Sequence, residues 1–144
     1  DCIFEGNSGG QGGAIGFFGV GTPTIERCII RNNHAQFYGG GVYAVNVHGP
    51  GSDTEHGIEL IDCVIENNGS DFAGGGICLI NAVALVQDCV IANNSAETSG
   101  GGITIAGRAI DGDADNDQSH GQHALLPRFH CVSPSALMRT SMSL

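Results

Sequence analysis

Cys28-Ile-Ile-Arg-Asn-Asn33 occurs in three further near copies in the 144-residue chain, and this repetition indicates the fold. The other copies are Cys2-Ile-Phe-Glu-Gly-Asn7, Cys63-Val-Ile-Glu-Asn-Asn68 and Cys89-Val-Ile-Ala-Asn-Asn94. Each copy is followed by a glycine cluster and then an apolar residue: Ile15, Val42, Ile77 or Ile103. The four cysteines stand 26, 35 and 26 residues apart. Self-similarity at such a period is typical of a solenoid, in which each repeat packs on its neighbours.

The residues within one repeat predict strands. A short run of β-branched residues bounded by Asn and Gly indicates a strand, and alternation places the cysteine and the residue two places later on one inward face. A second strand is expected from Val42, Ile77 and Ile103, and a third around Ile58-Glu-Leu60 and Ala84-Leu-Val86. The sequence therefore predicts an all-β fold: a right-handed, single-stranded parallel β-helix of about four rungs of about 26 residues.

Two further features of the repeats concern turns. Asn33, Asn68 and Asn94 are expected to stack at one bend, to hydrogen-bond through their side-chain amides and to tolerate a left-handed backbone. The longer spacing before Cys63 is explained by an insertion at residues 48–57. Insertions in solenoids emerge as loops on one face, which is often the binding face.

Equivalent positions of the aligned repeats form columns. The repeats cover residues 1–106, and residues 107–144 do not align with any of these columns. This acidic, irregular tail is predicted to be poorly ordered. It either caps or links the solenoid, or it is read out of frame. Cys78 and Cys131 have no equivalent in the repeats. Because the chain opens inside a repeat, it is expected to be part of a longer protein.

The composition limits the classes of binding partner that are expected for this chain. The formal net charge is −10, with five basic residues and no lysine, so nucleic acid and anionic membrane surfaces are not expected as partners. No apolar run approaches the roughly 20 residues that span a bilayer, so this segment is not expected to insert into a membrane. Four of the six cysteines share one repeat position, which predicts buried thiols rather than disulfides.

One copy carries a family resemblance. Phe4-Glu-Gly-Asn7 with Gly12-Gly-Ala-Ile15 resembles the paired FxxN and GGA[ILV] motifs of polymorphic outer-membrane protein repeats, found in autotransporter passengers. The other copies, with Ile for Phe and Gly for Ala, resemble the broader class of β-helix repeats of the pectate-lyase-like (pectin lyase-like) fold. The resemblance implies a secreted or cell-surface location and often an adhesive role, but no particular activity.

Two functions follow as hypotheses. The first is a non-catalytic scaffold or adhesin-type domain that binds polysaccharide or a surface protein. The alternative is a fragment of a polysaccharide lyase or glycoside hydrolase, in which Asp62 and Asp88 would act as catalytic acids beside the 48–57 loop. The same two acids share a column with Asp1 and Arg27, and a solvated charge ladder is the explanation that we prefer for them.

The tail contains an acidic pattern typical of metal ligands. Asp111, Asp113, Asp115 and Asp117 alternate as in a calcium loop. The glycine and glutamate of the EF-hand pattern are replaced by Asn116 and Gln122. A weak calcium site and a solvated acidic linker therefore both remain open, and no other cofactor is indicated.

Overall fold

The structure, a computed structural model, describes residues 1–19, 21–47 and 57–107 together with the backbone of residues 129–131. The regular structure in these ranges is β-strand throughout, and none of it is helix. No described helix is therefore long and apolar enough to cross a membrane. The insertion predicted at residues 48–57 lies outside the described residues except for Gly57, and so does nearly all of the tail.

Four strand segments recur along the coil. The segment after the cysteine comprises β1 (Ile3–Glu5), β5 (Ile29–Arg31), β9 (Val64–Glu66) and the end of β12 (Ala84–Ala92). The segment after the asparagine comprises β2 (Ser8–Gln11), β6 (His34–Tyr38), β10 (Gly69–Ser70) and β13 (Ser95–Ala96). The segment after the glycines comprises β3 (Ile15–Phe18), β7 (Val42–Val45), β11 (Ile77–Ile80) and β14 (Ile103–Ala106). The segment before the next cysteine comprises β4 (Thr24–Glu26), β8 (Ile58–Ile61) and the start of β12.

The pairing of these strands confirms the predicted solenoid. Within the described residues every strand pairing is parallel, and equivalent strands of successive repeats are neighbours. The register follows the sequence repeat: Ile30 pairs with Ile65, and Ile65 pairs with Ile91. Each rung therefore lies over the last, and the fold is a parallel β-helix of four rungs.

The segment after the asparagine was not among the three predicted strands. Ser8–Gln11 and Gly69–Ser70 contain no apolar alternation, so periodicity gives no strand signal there. Parallel pairing with β6 and β13 nevertheless makes them strands. The strand state of this segment therefore comes from backbone hydrogen bonds between rungs.

The core consists of inward columns that repeat from rung to rung. The fully buried large side chains are apolar apart from two asparagines, and they comprise Ile30, Ile58, Leu60, Ile65, Ile77, Leu79, Val42, Val47, Val86, Cys63, Asn33 and Asn68. Burying one Ile, Leu or Val side chain contributes about 1.5–3 kcal/mol. The inward face predicted for the cysteine column and for the residue two places later is thus confirmed.

The cysteine column is buried and reduced, as predicted. Cys28, Cys63 and Cys89 are buried free thiols, whereas Cys2 of the first rung is exposed. The Cys89 thiol donates to the carbonyl oxygen of Leu60 at 3.4 Å, one rung away. A hydrogen bond with the Cys63 thiol, together with burial, raises the pKa of Cys89. The described part of the column thus packs as small apolar side chains.

The expectation that Cys131 has no equivalent in the repeats is wrong. The strand β15 (Phe129–Cys131) pairs parallel with β12, and the Cα positions of Cys89 and Cys131 are in register. Val86 is likewise in register with Phe129. A piece of the tail therefore continues one sheet beyond the fourth rung. Sequence spacing could not show this, because 42 residues separate the two cysteines instead of about 26.

Asparagines form a continuous ladder inside the bend, as predicted. Asn33 Nδ2 donates to Asn68 Oδ1 at 2.9 Å, and Asn68 Nδ2 donates to Asn94 Oδ1 at 3.0 Å. Asn7 extends the ladder to the first rung through a 3.0 Å bond to Asn33 Oδ1. Each acceptor oxygen also binds the backbone N–H of the preceding asparagine, at 2.9–3.0 Å. The ladder therefore satisfies polar groups that burial would otherwise leave without partners.

The left-handed backbone belongs to the residue before the ladder asparagine. Asn32, Asn67 and Asn93 have φ values of 57°, 54° and 54°, and Gly6 takes this place in the first rung with φ 68°. Asparagine and glycine are the residue types that enter this region most readily. The two residues of the Asn-Asn pair thus have different roles: the first adopts the left-handed turn, and the second hydrogen-bonds to the neighbouring rungs.

We expect Asn68→Ala to lower the free energy of unfolding by about 2–4 kcal/mol, because it leaves the buried backbone N–H of Asn33 without its acceptor and removes the side-chain amide bonds of Asn68 to Asn33 and to the Ile30 carbonyl. The measurement is urea unfolding of the full chain followed by circular dichroism. The matched control is Asn67→Gly, which keeps the left-handed turn and should stay within about 1 kcal/mol of the parent. Equal losses for the two variants would contradict a special role for the ladder.

Candidate functional site

The two acids proposed from sequence lie on the outside of the coil, one rung apart. Asp62 and Asp88 immediately precede buried cysteines, and both side chains are exposed. Their φ values of 51° and 53° place them in a left-handed turn. The backbone N–H of Asp62 donates to the carbonyl oxygen of Gln87 at 3.0 Å, which ties the two turns together. The structure thus brings Asp62 and Asp88 onto neighbouring rungs, as the alignment predicted.

The surroundings of these acids contain few polar partners. The Asp88 carboxylate accepts a hydrogen bond from Gln87 Nε2 at 3.1 Å. Among the described residues, Asp62 forms no ion pair and accepts no side-chain hydrogen bond. Two carboxylates stacked in this way repel each other, since like charges opposite one another in a sheet are destabilising.

The arginines of the charge ladder pair with acids of the first two rungs. Arg27 Nε lies 2.9 Å from Asp1 Oδ1, and the same guanidinium binds Glu26. Arg31 Nη2 lies 3.0 Å from Glu5 Oε2, and hydrogen bonds from Arg31 and Asn32 lower the pKa of the Glu5 carboxyl. Both described arginines are thereby paired away from Asp62 and Asp88.

Metal binding was predicted only for the tail. Asp111, Asp113, Asp115 and Asp117 lie outside the described residues, so the calcium expectation stays a prediction. Within residues 1–19, 21–47 and 57–107, no three His, Cys, Asp or Glu side chains come together as a metal-binding group. The acidic residues of the described coil accordingly lie in pairs and columns and do not converge in groups of three.

We expect Asp88→Asn to leave stability unchanged or to raise it by a few tenths of a kcal/mol, because it removes one of two stacked charges and asparagine suits the left-handed turn. Asp88→Val at the same position should cost about 1–2 kcal/mol, since a β-branched residue is strained there. Urea unfolding of the two variants in parallel measures both effects. A comparable loss for Asn and Val would show that the carboxylate itself has an attractive role.

Sequence reasoning missed an aromatic cluster on the outer surface. The rings of Phe18 and Tyr43 lie 5.6 Å apart edge to face, and those of Tyr43 and Tyr38 stack at 5.9 Å with an interplanar angle of 18°. Phe72 meets Tyr38 edge to face at 5.3 Å. The contacts therefore run without a break from the first rung to the third.

The cluster contains one covered ring and several exposed ones. Tyr43 is only 4% exposed, whereas Phe18 and Phe72 are 63% and 47% exposed. Burial, with smaller contributions from Cys78 and Tyr38, raises the pKa of the Tyr43 hydroxyl, which keeps it neutral. Phe37, beside Tyr38 in β6, is also exposed, at 53%. The available signal in the sequence was that Phe18, Tyr38 and Tyr43 stand in columns where the other repeats have no aromatic residue, and that Phe37 and Phe72 share a further column.

One comparison with known proteins bears on this geometry. Residues 1–17 match the Chlamydia polymorphic membrane protein (Chlamydia_PMP) repeat. The matched stretch spans β1, β2 and most of β3. No curated protein and no solved structure matches the chain.

The matched residues build the rung. Phe4 packs against the core, Asn7 begins the asparagine ladder, and Gly12 turns the chain with φ 70°. Ile15 also packs against the core and starts the register of β3 with β7. The similarity to the polymorphic membrane protein repeat therefore concerns how the coil is built, and the exposed aromatic cluster lies mostly beyond it.

Proposed function

We propose that this chain is part of a non-catalytic, surface-displayed β-helix scaffold of the adhesin type, which binds partner molecules through its outer columns. The observation that carries the proposal is the match of the first rung to a polymorphic membrane protein repeat. The name of that repeat places its family at a membrane, and the same coil continues in register through three further rungs. A secreted or cell-surface location is part of this proposal.

The arrangement of charges supports a binding role over catalysis. Glycosidic cleavage needs a pair of carboxyl groups held on either side of a sugar, one of them in an environment that raises its pKa. Asp62 and Asp88 are instead exposed residues of neighbouring turns on one face, and both described arginines are paired elsewhere. This surface resembles a solvated ladder more than a catalytic cleft.

The alternative, a polysaccharide lyase or glycoside hydrolase of the pectate-lyase-like fold, makes the opposite prediction in a direct assay. We expect the purified full chain to release no new reducing ends or unsaturated products from polygalacturonate, with and without calcium. Asp88→Asn should behave as the parent does. Cleavage that Asp88→Asn abolishes would overturn the proposal in favour of the enzyme.

The binding half of the proposal needs a positive measurement. Beads coated with the full chain should adhere to cultured animal cells or to polysaccharide films several-fold more than beads coated with the same chain denatured in urea before coating. Both coatings carry the same composition and net charge, so the comparison isolates the folded surface. Equal adhesion of the two coatings would contradict a scaffold whose stacked columns create the binding site.

A further inference from the structure

The exposed aromatic cluster is the surface feature that the repeat does not explain. We call it the aromatic patch and define it as Phe18, Phe37, Tyr38, Tyr43 and Phe72. The other rungs show that the coil does not need these rings. The equivalent positions in the other rungs hold small, polar or aliphatic residues. Phe18 is in register with Val45, Ile80 and Ala106, and Tyr43 is in register with Gly16, Cys78 and Thr104. Tyr38 is in register with Gln11, Ala73 and Ser99.

Exposure of the patch runs against the usual distribution of aromatic side chains. Phe18, Phe37 and Phe72 leave about half or more of their surface in water. Contiguous exposed apolar surface on a soluble domain marks an interaction site, and aromatic residues are enriched at the energetic centres of protein interfaces. Because four of the five rings, all except Phe37, contact one another in series across three rungs, they form one surface and not scattered side chains.

The charge beside the patch limits the partner. Asp71 directly precedes Phe72, and Glu97 lies one rung further in the same segment, with Gln36 one rung before. All three side chains are exposed, and the Asp71 carboxylate has one partner within the chain, His34 Nε2, which lies 2.8 Å from Asp71 Oδ1. The chain has a net charge of −10 and no lysine, and both described arginines are already ion-paired. Charge complementarity therefore favours a cationic partner over an anionic one.

The ring geometry favours a protein over a neutral sugar polymer. The interplanar angles along the patch are 61°, 18° and 81°, so faces and edges alternate along it. A flat ladder of parallel ring faces, on which successive sugars could lie, is not present in these three contacts. An uneven surface of faces and edges beside carboxylates instead suits arginine, whose planar guanidinium stacks on rings and pairs with acids.

We propose that the aromatic patch docks an arginine-bearing segment of another protein, with the guanidinium groups against the exposed rings and the row of Asp71 and Glu97. This rests on the proposed function as a binding scaffold and names its docking surface and the chemistry of its partner. Neutral polysaccharide is the competing occupant, and the test below separates the two.

The test is selection of a displayed library of random 12-residue peptides on the immobilised full chain. We expect the selected peptides to be enriched in arginine over the input library, together with aromatic or aliphatic residues. A synthetic selected peptide should bind more weakly when its arginines are replaced by uncharged citrulline, and its affinity should fall as salt is raised.

The variants use residues that the same columns already carry, so the fold tolerates them. Phe18→Ala copies Ala106, and Phe72→Thr copies Thr98 of the fourth rung. The double variant should bind the selected peptide at least about 10-fold more weakly, the scale of a lost interface centre. Asp71→Asn should lower the affinity a few-fold and reduce the dependence on salt. The matched control Ile105→Ala removes an exposed apolar side chain outside the patch and should not change binding.

Three results would overturn the proposal: peptides selected without arginine enrichment, selected peptides that bind the patch variants as tightly as the parent, or patch-dependent binding to neutral polysaccharide films. Circular dichroism of the variants separates lost binding from lost structure. Failure here is distinguishable from failure of the proposed function. If beads coated with the parent and with the patch variant adhere equally well, the proposed scaffold function holds and the docking surface is elsewhere. Cleavage of polysaccharide would instead overturn the proposed scaffold function.

Discussion

The stacking of identical asparagines is the interaction on which the rest of the structure depends. Asn33 and Asn68 are buried and bonded in both directions along the coil, with each side-chain oxygen accepting from the rung before. A shift of one residue in any rung would break the bonds between the asparagine of that rung and those of the adjoining rungs. The ladder thereby fixes the register, and the register places the cysteine and isoleucine columns inside.

Fixing the interior in this way leaves the outside free to vary. Apart from the asparagine ladder, the large side chains that are fully buried are apolar. The outward columns vary in chemical type: one holds Asp1, Arg27, Asp62 and Asp88, and another holds Phe37, Phe72 and Thr98. A repeat that builds the coil therefore carries little information about binding. The feature that distinguishes one β-helix from another is the set of outward residues that depart from the repeat, and here the clearest departure is aromatic.

Much of the fold could be predicted from the sequence, because residues that align between repeats lie over one another in the coil. The columns at Ile30, Ile65 and Ile91 gave the parallel register and the inward face. The strand at Ser8–Gln11 was missed because polar, glycine-rich residues become extended only through bonds to neighbouring rungs. The aromatic patch was missed for a related reason: only Phe37 and Phe72 share a column, and the coil is what brings residues of different columns, such as Tyr38 and Tyr43, together.

Rung-over-rung stacking is tested most directly by nuclear Overhauser contacts in the isotopically labelled full chain. Stacked rungs should give contacts between the methyl groups of Ile30 and Ile65 and of Ile65 and Ile91, and between the side-chain amides of Asn33 and Asn68. The amide protons of the ladder should also exchange slowly with solvent, since they are buried and hydrogen-bonded. Absence of these contacts, or contacts typical of antiparallel hairpins within one repeat, would contradict rung-over-rung stacking.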